Sequence, residues 1–199
     1  MFPIPKINAF NISEKYRAIA LCSSIAKLFD LIFIDKHKLS LISDSLQFGF
    51  KEERSTSLCT LLLTGIANKF NNEGSSVYTM LLDMPKAFDK VNHSKLFEII
   101  LRRNMDPLYT RCLLYMYQNQ RLCVKWDDTF SPHFNVTSGV KQGGVLSPLL
   151  FCIYIDDLMQ RLRDSSCGCY LGPQFAGALC YADDMVLLSP SIAGLKRML

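Results

Sequence analysis

Ala178-Leu-Cys-Tyr-Ala-Asp-Asp-Met-Val-Leu-Leu188 is the stretch that decides the fold of this 199-residue chain. Two short apolar runs, 178–181 and 185–188, have the composition of strands and lie on either side of Ala182-Asp183-Asp184. This pattern predicts a β-hairpin whose tip is acidic. Because the flanking runs are apolar, we expect the two carboxylates to lie directly against buried strands.

A third aspartate has the same setting earlier in the chain. Val77-Tyr-Thr-Met-Leu-Leu82 is a nearly continuous run of strand-forming residues, and Asp83 follows at its end. We expect this strand to be buried on both faces. Buried carboxylates that repel one another persist at neutral pH only when a cation neutralises them, and Mg²⁺ binds carboxylate oxygens and phosphates.

Asp83, Asp183 and Asp184 are therefore candidate ligands for two divalent cations that would act in phosphoryl transfer. Aspartate is also common in tight turns of ordinary proteins. The spacing of the three residues alone leaves both interpretations open.

The composition is that of a globular protein with a mildly basic balance. The net charge of +4 favours a polyanionic partner without identifying one. The longest uncharged stretch, 165–182, is interrupted by glycine and proline, and the N-terminus lacks a secretory signal. We therefore expect an intracellular protein without a membrane helix. Among the eight cysteines, buried reduced thiols are favoured over a metal site at Cys167, Cys169 and Cys180.

Two amphipathic helix patterns occupy the first third of the chain, and their apolar residues should face a core. These residues are Ile25, Leu28, Phe29 and Ile32 in the first pattern, and Leu58, Leu61, Leu62, Gly65 and Ile66 in the second. Ser55 or Thr56 can cap the second helix.

Further helix patterns cover 94–103, 107–117, the residues after Pro148 and those from about Ile192. A strand at 122–126 is expected to pair back with 134–138 across a turn at Asp127-Asp128. The sequence contains no linker that would divide the chain. The whole pattern predicts an α+β fold with an antiparallel sheet backed by helices.

Five blocks of the sequence resemble, in the family order, the motifs of reverse transcriptases from non-LTR (LINE-like) retrotransposons. The blocks are Tyr16-Arg-Ala-Ile-Ala-Leu21 with Ile25-Ala-Lys-Leu-Phe29; Gln47-Phe-Gly-Phe50 with Arg54-Ser-Thr56; Leu82-Asp-Met-Pro-Lys-Ala-Phe-Asp-Lys-Val91; Gly139-Val-Lys-Gln-Gly-Gly-Val-Leu-Ser-Pro-Leu-Leu-Phe151; and Tyr181-Ala-Asp-Asp184. The resemblance implies a polymerase palm with partial fingers. Residues 1–72 would be the fingers portion and 73–199 the palm portion, ending before the thumb. A fragment of a polyprotein or of a decayed copy is the expected origin.

The resemblance also implies roles for the acidic residues. Asp83 and Asp183 would ligate two Mg²⁺ ions, with Mn²⁺ as the alternative, and the Met84 carbonyl would complete the shell. Asp184 would be a nearby ligand or an electrostatic support. The implied reaction is attack of a primer 3′-hydroxyl on the α-phosphate of a deoxynucleotide, which releases pyrophosphate.

Four other residues match nucleotide-binding positions of the family. Phe88 would exclude a ribose 2′-hydroxyl, Arg17 would grip the triphosphate, and Gln142 and Gly143 would lie beside the nucleotide. Without the resemblance, these would be a core phenylalanine, a surface arginine and a flexible loop entering a helix.

The implied partners are an RNA template, a DNA primer and dNTPs, whereas the oligomeric state stays open. Two rival interpretations remain. The first is a catalytically inactive remnant that only binds nucleic acid or a partner. The second is an RNA-synthesising palm enzyme, against which Phe88 argues.

Overall fold

The computed structural model describes residues 1–5 and 16–199. The helices in these ranges are α1 Ser24–Lys36, α2 Thr56–Asn72, α3 His93–Arg102, α4 Pro107–Gln118, α5 Ser147–Asp164 and α6 Ile192–Arg197, with a short 3₁₀ turn at Phe88–Lys90. The strands are β1 Phe2–Pro5, β2 Tyr16–Ile19, β3 Tyr78–Asp83, β4 Arg121–Leu122, β5 Lys125–Trp126, β6 Thr129–Phe130, β7 Phe134–Asn135, β8 Tyr170–Leu171, β9 Gln174–Phe175, β10 Ala178–Tyr181 and β11 Asp184–Ser189. No helix in the described ranges is both long enough and apolar enough to span a membrane.

The chain forms two compact units. Unit one consists of Met1–Ile42 and Lys86–Phe151, and unit two of Ser43–Pro85 and Cys152–Leu199. The predicted fingers portion (1–72) and palm portion (73–199) each contribute residues to both units. The two compact units are a different division of the chain, so the fingers and palm portions stay a prediction.

A three-stranded antiparallel sheet forms the centre of unit two, in the order β10-β11-β3. The hairpin predicted from the opening stretch is confirmed as β10 and β11. Helix α2 packs against β10, and α6 packs against β11 and β3. The buried core of this unit contains Phe48, Ile66, Cys169, Ala176, Leu179 and Leu188. Burial of these apolar side chains is the main force that holds the sheet under its helices.

The expectation that the strand at 77–82 is buried on both faces is wrong. β3 is an edge strand, and Leu81 is 80% exposed while Tyr78 is 39% exposed. Tyr78, Met80 and Leu82 point to the face opposite Leu81, and of these Met80 and Leu82 are half-buried. An antiparallel edge strand needs only one covered face, so an apolar run at this position does not require burial on both sides.

The predicted core face of α1 is wrong at three of its four residues. Ile25, Leu28 and Ile32 are 82%, 58% and 45% exposed, whereas Phe33 is fully buried. The spacing of apolar residues predicted the helix correctly but selected the wrong stripe. Phe29 and Phe33 lie four positions apart with adjacent rings, and the larger aromatic area goes inward.

His37 continues that aromatic stripe in unit one and is fully hydrogen-bonded. Its Nδ1 donates to the Phe33 carbonyl at 2.9 Å, and its Nε2 accepts from the backbone N–H of Asp106 at 3.0 Å. The ring also contacts Tyr109 of α4 with centroids 5.7 Å apart. The residue therefore fixes α1 against α4.

The second helix agrees with the prediction in part. Ser55 caps α2 by accepting a hydrogen bond from the backbone N–H of Leu58. Ile66 is buried and Leu62 is half-buried against the core of unit two. Three of the predicted inward residues, Leu58, Leu61 and Gly65, are instead exposed. The sheet of unit two covers only part of the helix surface, so the inward stripe is narrower than the apolar pattern.

Unit one contains a helical pair and several short antiparallel strands. α3 packs against α4, and β1 pairs with β2. The predicted hairpin after α4 is confirmed in part, because its turn lies at Asp127-Asp128 and Leu122 pairs with Phe134, but its middle residues pair differently. β5 pairs with the adjacent β6 across Asp127, whose φ is 49°, while β4 pairs with β7. The tight turn at Asp127 brings the nearest residues together first.

Candidate active site

Asp83 and Asp184 face each other on two neighbouring strands of unit two. Asp83 is the last residue of β3, Asp184 is the first residue of β11, and the two are direct partners in the antiparallel register. Side chains of direct partners project from the same face, with Cβ atoms about 5 Å apart. These two carboxylates can therefore reach a common cation.

Asp183 lies in the turn that joins β10 to β11. The preceding residue, Ala182, has a φ of 57°, in the left-handed region that residues with a side chain rarely adopt. The turn is held by Gln47, whose side chain is fully buried. The backbone N–H of Ala182 donates to Gln47 Oε1 at 3.0 Å, and Gln47 Nε2 donates to the Ala182 carbonyl at 3.2 Å.

The segment that carries Gln47 lies alongside β10. The backbone N–H of Phe48 donates to the Cys180 carbonyl at 2.7 Å, and the N–H of Cys180 donates to the Leu46 carbonyl at 2.9 Å. A Cβ atom on Gly49 would come within 2.4 Å of the Ala182 backbone nitrogen, so only glycine fits there. Residues 46–49 therefore form a backbone support under the acidic turn.

One ion pair and several hydrogen bonds anchor the beginning of this segment. Arg163 on α5 contacts the Asp44 carboxylate at 2.7 Å, and the backbone N–H of Asp44 donates to Asp156 Oδ1 at 2.9 Å. The Lys51 ammonium donates to the backbone carbonyls of Ser43 and Asp44. Burial lowers the pKa of Lys51, although nearby Asp156 opposes that shift. These contacts fix both ends of 44–51.

Gln47 lies within one of the five family-like blocks, but the sequence alone indicates no role for it. The available signal was one amide side chain between apolar and aromatic neighbours, Leu46 and Phe48. Its partner Ala182 is 135 positions away, so no local spacing could identify the contact.

The premise that the acidic side chains are buried is wrong. Asp83 and Asp184 are exposed and Asp183 is half-buried, because they lie at strand ends and in a turn. Their oxygens match the donors that Mg²⁺ prefers, so the donor set fits this ion in kind. Among residues 1–5 and 16–199, no three acidic, histidine or cysteine side chains are grouped as a metal site. The structure brings Asp83 and Asp184 together and leaves Asp183 as their immediate neighbour.

Met84 is the first residue after β3 and is half-buried. Its backbone carbonyl follows Asp83 directly. Its assignment as a metal ligand stays a prediction.

The predicted nucleotide-binding residues all belong to unit one. The Phe88 ring is half-buried and stacks on the buried Phe151, with centroids 4.7 Å apart and planes inclined by 15°. Gln142 Nε2 donates to Asp89 Oδ1 at 3.2 Å. The backbone N–H of Val140 donates to the Phe88 carbonyl at 2.8 Å. These contacts join the 3₁₀ turn at Phe88–Lys90 to residues 139–146, the glycine-rich loop before α5.

The same loop contacts the end of β2. The backbone N–H of Ala20 donates to the Gln142 carbonyl at 2.7 Å. Gly143 has a φ of 100°, and a Cβ there would lie 3.0 Å from the Ala20 carbonyl. Arg17 is exposed on β2, three residues before Ala20. A cavity of about 300 Å³ in this unit is lined by Ala20, Asp89 and Gln142 among others.

The cysteines have the properties of structural thiols. Cys152, Cys167, Cys169 and Cys180 are buried, and all eight cysteines are free. Burial raises the pKa of Cys180 to about 12 and that of Cys169 to about 11, so both thiols are neutral at physiological pH. Cys112 is exposed, contrary to the expectation of general burial.

Residues 4–199 match the family described as reverse transcriptase (RNA-dependent DNA polymerase). The chain is 27% identical over 184 residues to the retrovirus-related Pol polyprotein from type-1 retrotransposable element R2 of Nasonia vitripennis, covering 92% of this chain and 18% of the relative. It is 26% identical over 196 residues to the Pol polyprotein of element R2DM of Drosophila melanogaster, covering 98% and 18%. The chain thus spans less than a fifth of the length of these curated relatives.

Solved telomerases from Candida tropicalis have a similar fold. The apo enzyme truncated from its C-terminal domain gives a TM-score of 0.58 at 14% identity, covering 92% of this chain and 43% of that one. The complex with the TWJ fragment of telomeric RNA gives 0.60 at 15% identity, covering 92% and 35%. At these identities the likeness concerns the fold, and it confirms the predicted α+β architecture with an antiparallel palm sheet.

Proposed function

This chain belongs to the reverse transcriptase family, and from that premise we propose that it is the polymerase segment of a retrotransposon polyprotein that synthesises DNA on an RNA template. The facing pair of Asp83 and Asp184, beside Asp183 in its fixed turn, carries the proposal. Facing carboxylates at an exposed sheet end, with a third aspartate next to them in the chain, suit a phosphoryl-transfer centre, because their oxygens can bind the divalent cations that such a centre uses. The sequence resemblance to non-LTR retrotransposon enzymes agrees with the curated relatives.

In the proposed reaction, Asp83, Asp183 and Asp184 hold two divalent cations, Mg²⁺ with Mn²⁺ as the alternative, and the Met84 carbonyl supports them. When bound, such cations supply charge neutralisation at the transferring phosphoryl group. The residues of unit two orient the carboxylates through the fixed turn at Ala182. No side chain of the protein forms a covalent intermediate.

Residues of unit one are proposed to bind the deoxynucleotide. The exposed guanidinium of Arg17 contacts the triphosphate, for which a planar and permanently charged donor is suited. Phe88, supported from behind by Phe151, excludes a 2′-hydroxyl. Gln142 is oriented by Asp89, and Gly143 lets the backbone approach the substrate.

The proposed partners are an RNA template, a DNA primer and dNTPs. The family description names an RNA-dependent polymerase, and one telomerase with this fold was solved with RNA. The charge of +4 agrees with a polyanionic partner.

Single-nucleotide incorporation tests the proposal. The purified chain is mixed with a saturating DNA primer on an RNA template, one complementary dNTP and Mg²⁺. We expect extension by the wild type and its loss in Asp183→Ala. Binding of the primer–template without extension by the wild type would instead support the inactive nucleic-acid-binding alternative.

A further inference from the structure

Both polar atoms of the Gln47 side chain form hydrogen bonds with the acidic turn or with the segment that supports it. Its Oε1 accepts hydrogen bonds from the backbone N–H groups of both Ala182 and Gly49, and its Nε2 donates to the Ala182 carbonyl. Two N–H donors to the same atom identify it as the oxygen, which fixes the orientation of the amide. The side chain is fully buried, so water does not compete for these bonds.

Ala182 depends on this amide. The residue is buried and has left-handed backbone geometry, which alanine disfavours. Its N–H and carbonyl both bond to Gln47, and a buried backbone group left unpaired is costly. Loss of the amide therefore removes the contacts that hold the turn in this conformation, directly before Asp183.

These bonds are not needed to join 46–49 to β10. The backbone bonds between Phe48 and Cys180 and between Cys180 and Leu46 already make that connection. The side chain of Gln47 adds contacts at Ala182, beyond the end of the strand. Its specific effect is on the turn.

We propose that Gln47 is a positioning residue, which fixes the backbone at Ala182 so that Asp183 and Asp184 present their carboxylates to a divalent cation. Its consequence for catalysis rests on the proposed polymerase function. Its effect on the turn and on cation binding does not.

Gln47→Met tests the proposal, because methionine keeps a similar length and volume but removes all three hydrogen bonds. Ile66→Val is the matched control, since Ile66 is equally buried in the core of unit two and lies on α2, outside residues 46–49. Both variants are studied below their melting temperatures. The readouts are amide hydrogen exchange at Ala182, Mn²⁺ affinity by electron paramagnetic resonance, and kcat and KM of single-nucleotide incorporation.

We expect Gln47→Met to accelerate exchange at Ala182 and to weaken Mn²⁺ binding by roughly 10- to 100-fold, the usual effect of removing a residue that orients metal ligands. The kcat should fall with the KM for primer–template unchanged, and Ile66→Val should match the wild type in all three. Equal effects of the two substitutions, or wild-type Mn²⁺ affinity in Gln47→Met, would overturn the proposal.

Gly49→Ala serves if Gln47→Met does not fold. Its added methyl would press on the Ala182 backbone nitrogen while Gln47 stays in place, and it should weaken Mn²⁺ binding in the same direction. Unchanged Mn²⁺ affinity in this variant would again overturn the positioning role. A wild type that extends no primer, with the expected exchange and Mn²⁺ differences, would defeat the polymerase proposal and support the positioning role.

Discussion

The acidic turn of unit two and the predicted nucleotide-binding residues of unit one are held by different kinds of contact. The turn at Ala182 is fixed by a fully buried amide, whereas the Gln142–Asp89 hydrogen bond is exposed. A buried hydrogen bond is costly to leave unmade, while an exposed one exchanges with water at little cost. We therefore expect substitutions in the acidic turn of unit two to cause large losses of metal affinity and kcat. Substitutions at the nucleotide-binding residues of unit one should cause smaller changes in nucleotide affinity and selectivity.

Replacing Asp83 should have the largest effect. We expect Asp83→Asn to lower kcat by roughly 10³-fold or more, since loss of one stabilising group in an electrostatic active site already costs 10²–10³. The residue is exposed at a strand end, so the melting temperature should stay close to that of the wild type. The measurement is single-turnover incorporation together with thermal denaturation.

Asp127→Asn is a matched control for this substitution, because Asp127 is an exposed turn aspartate of unit one. It should leave the rate unchanged. More than a tenth of wild-type activity in Asp83→Asn would show that the facing pair is not the metal centre.

Removal of the Phe88 ring should change selectivity rather than basic activity. We expect Phe88→Ala to reduce the preference for dNTP over rNTP by about 100-fold, within the range that steric fit in a pocket can supply. The ratio of kcat/KM values for matched dNTP and rNTP measures this preference. Equal use of both by the wild type would favour the RNA-synthesising alternative.

Phe151→Leu tests whether the ring that packs against Phe88 contributes to the exclusion of a 2′-hydroxyl. The buried Phe151 ring stacks on Phe88, so its loss should make the Phe88 ring less fixed while the ring still blocks a 2′-hydroxyl. A smaller loss of selectivity than in Phe88→Ala is the expected result. If only Phe151→Leu changed selectivity, Phe88 would be a packing residue.

Replacing Arg17, the residue proposed to contact the triphosphate, should have a smaller effect than the substitutions above. Arg17→Lys keeps the charge but loses the planar pair of donors, so KM for dNTP should rise about tenfold with kcat near the wild-type value. Arg121→Lys, at an exposed position on β4, is the control. A fall in kcat instead of a rise in KM would place Arg17 outside simple nucleotide binding.

How much of each region could be predicted from the sequence depends on how far apart the interacting residues lie in the chain. The hairpin β10–β11 and the cap at Ser55 were predictable because both depend on residues close in the sequence. The partner of Gln47 was not, because a contact over 135 positions leaves no local pattern. The inward face of α1 failed for a related reason: two apolar stripes compete, and the position of Tyr109 decides between them.

The acidic residues show that a position can be predicted correctly when its burial is not. The family motifs predicted that Asp83 meets the acidic tip of the late hairpin, and the register places Asp83 opposite Asp184, whereas the roles of these residues as metal ligands stay a prediction. The carboxylates are not buried, because β3 is an edge strand and they lie at the end of the sheet. Sequence patterns predict that a strand exists more reliably than they predict what covers it, since the neighbours come from distant segments.

The smallest effect should come from Asp30, which supports the glycine-rich loop of unit one. Its carboxylate accepts a hydrogen bond from the backbone N–H of Leu146 at 3.4 Å, and burial raises its pKa above the ordinary 3.8. A carboxyl with a raised pKa in the folded state stabilises the fold below its unfolded pKa, and that contribution is lost as the pH rises through the folded pKa.

Asp30→Asn should therefore raise the melting temperature by a few degrees at pH 7, because asparagine is neutral and can still accept from Leu146. The gain should disappear near pH 3, where the wild-type carboxyl is protonated in both states. Thermal denaturation at the two pH values measures the difference, and Asp35→Asn, at an exposed position of the same helix, should show none. A lower melting temperature at pH 7 would mean that attraction to Lys141 and the hydrogen bonds outweigh burial, so that the loop of unit one, like the turn of unit two, is held by contacts costly to lose.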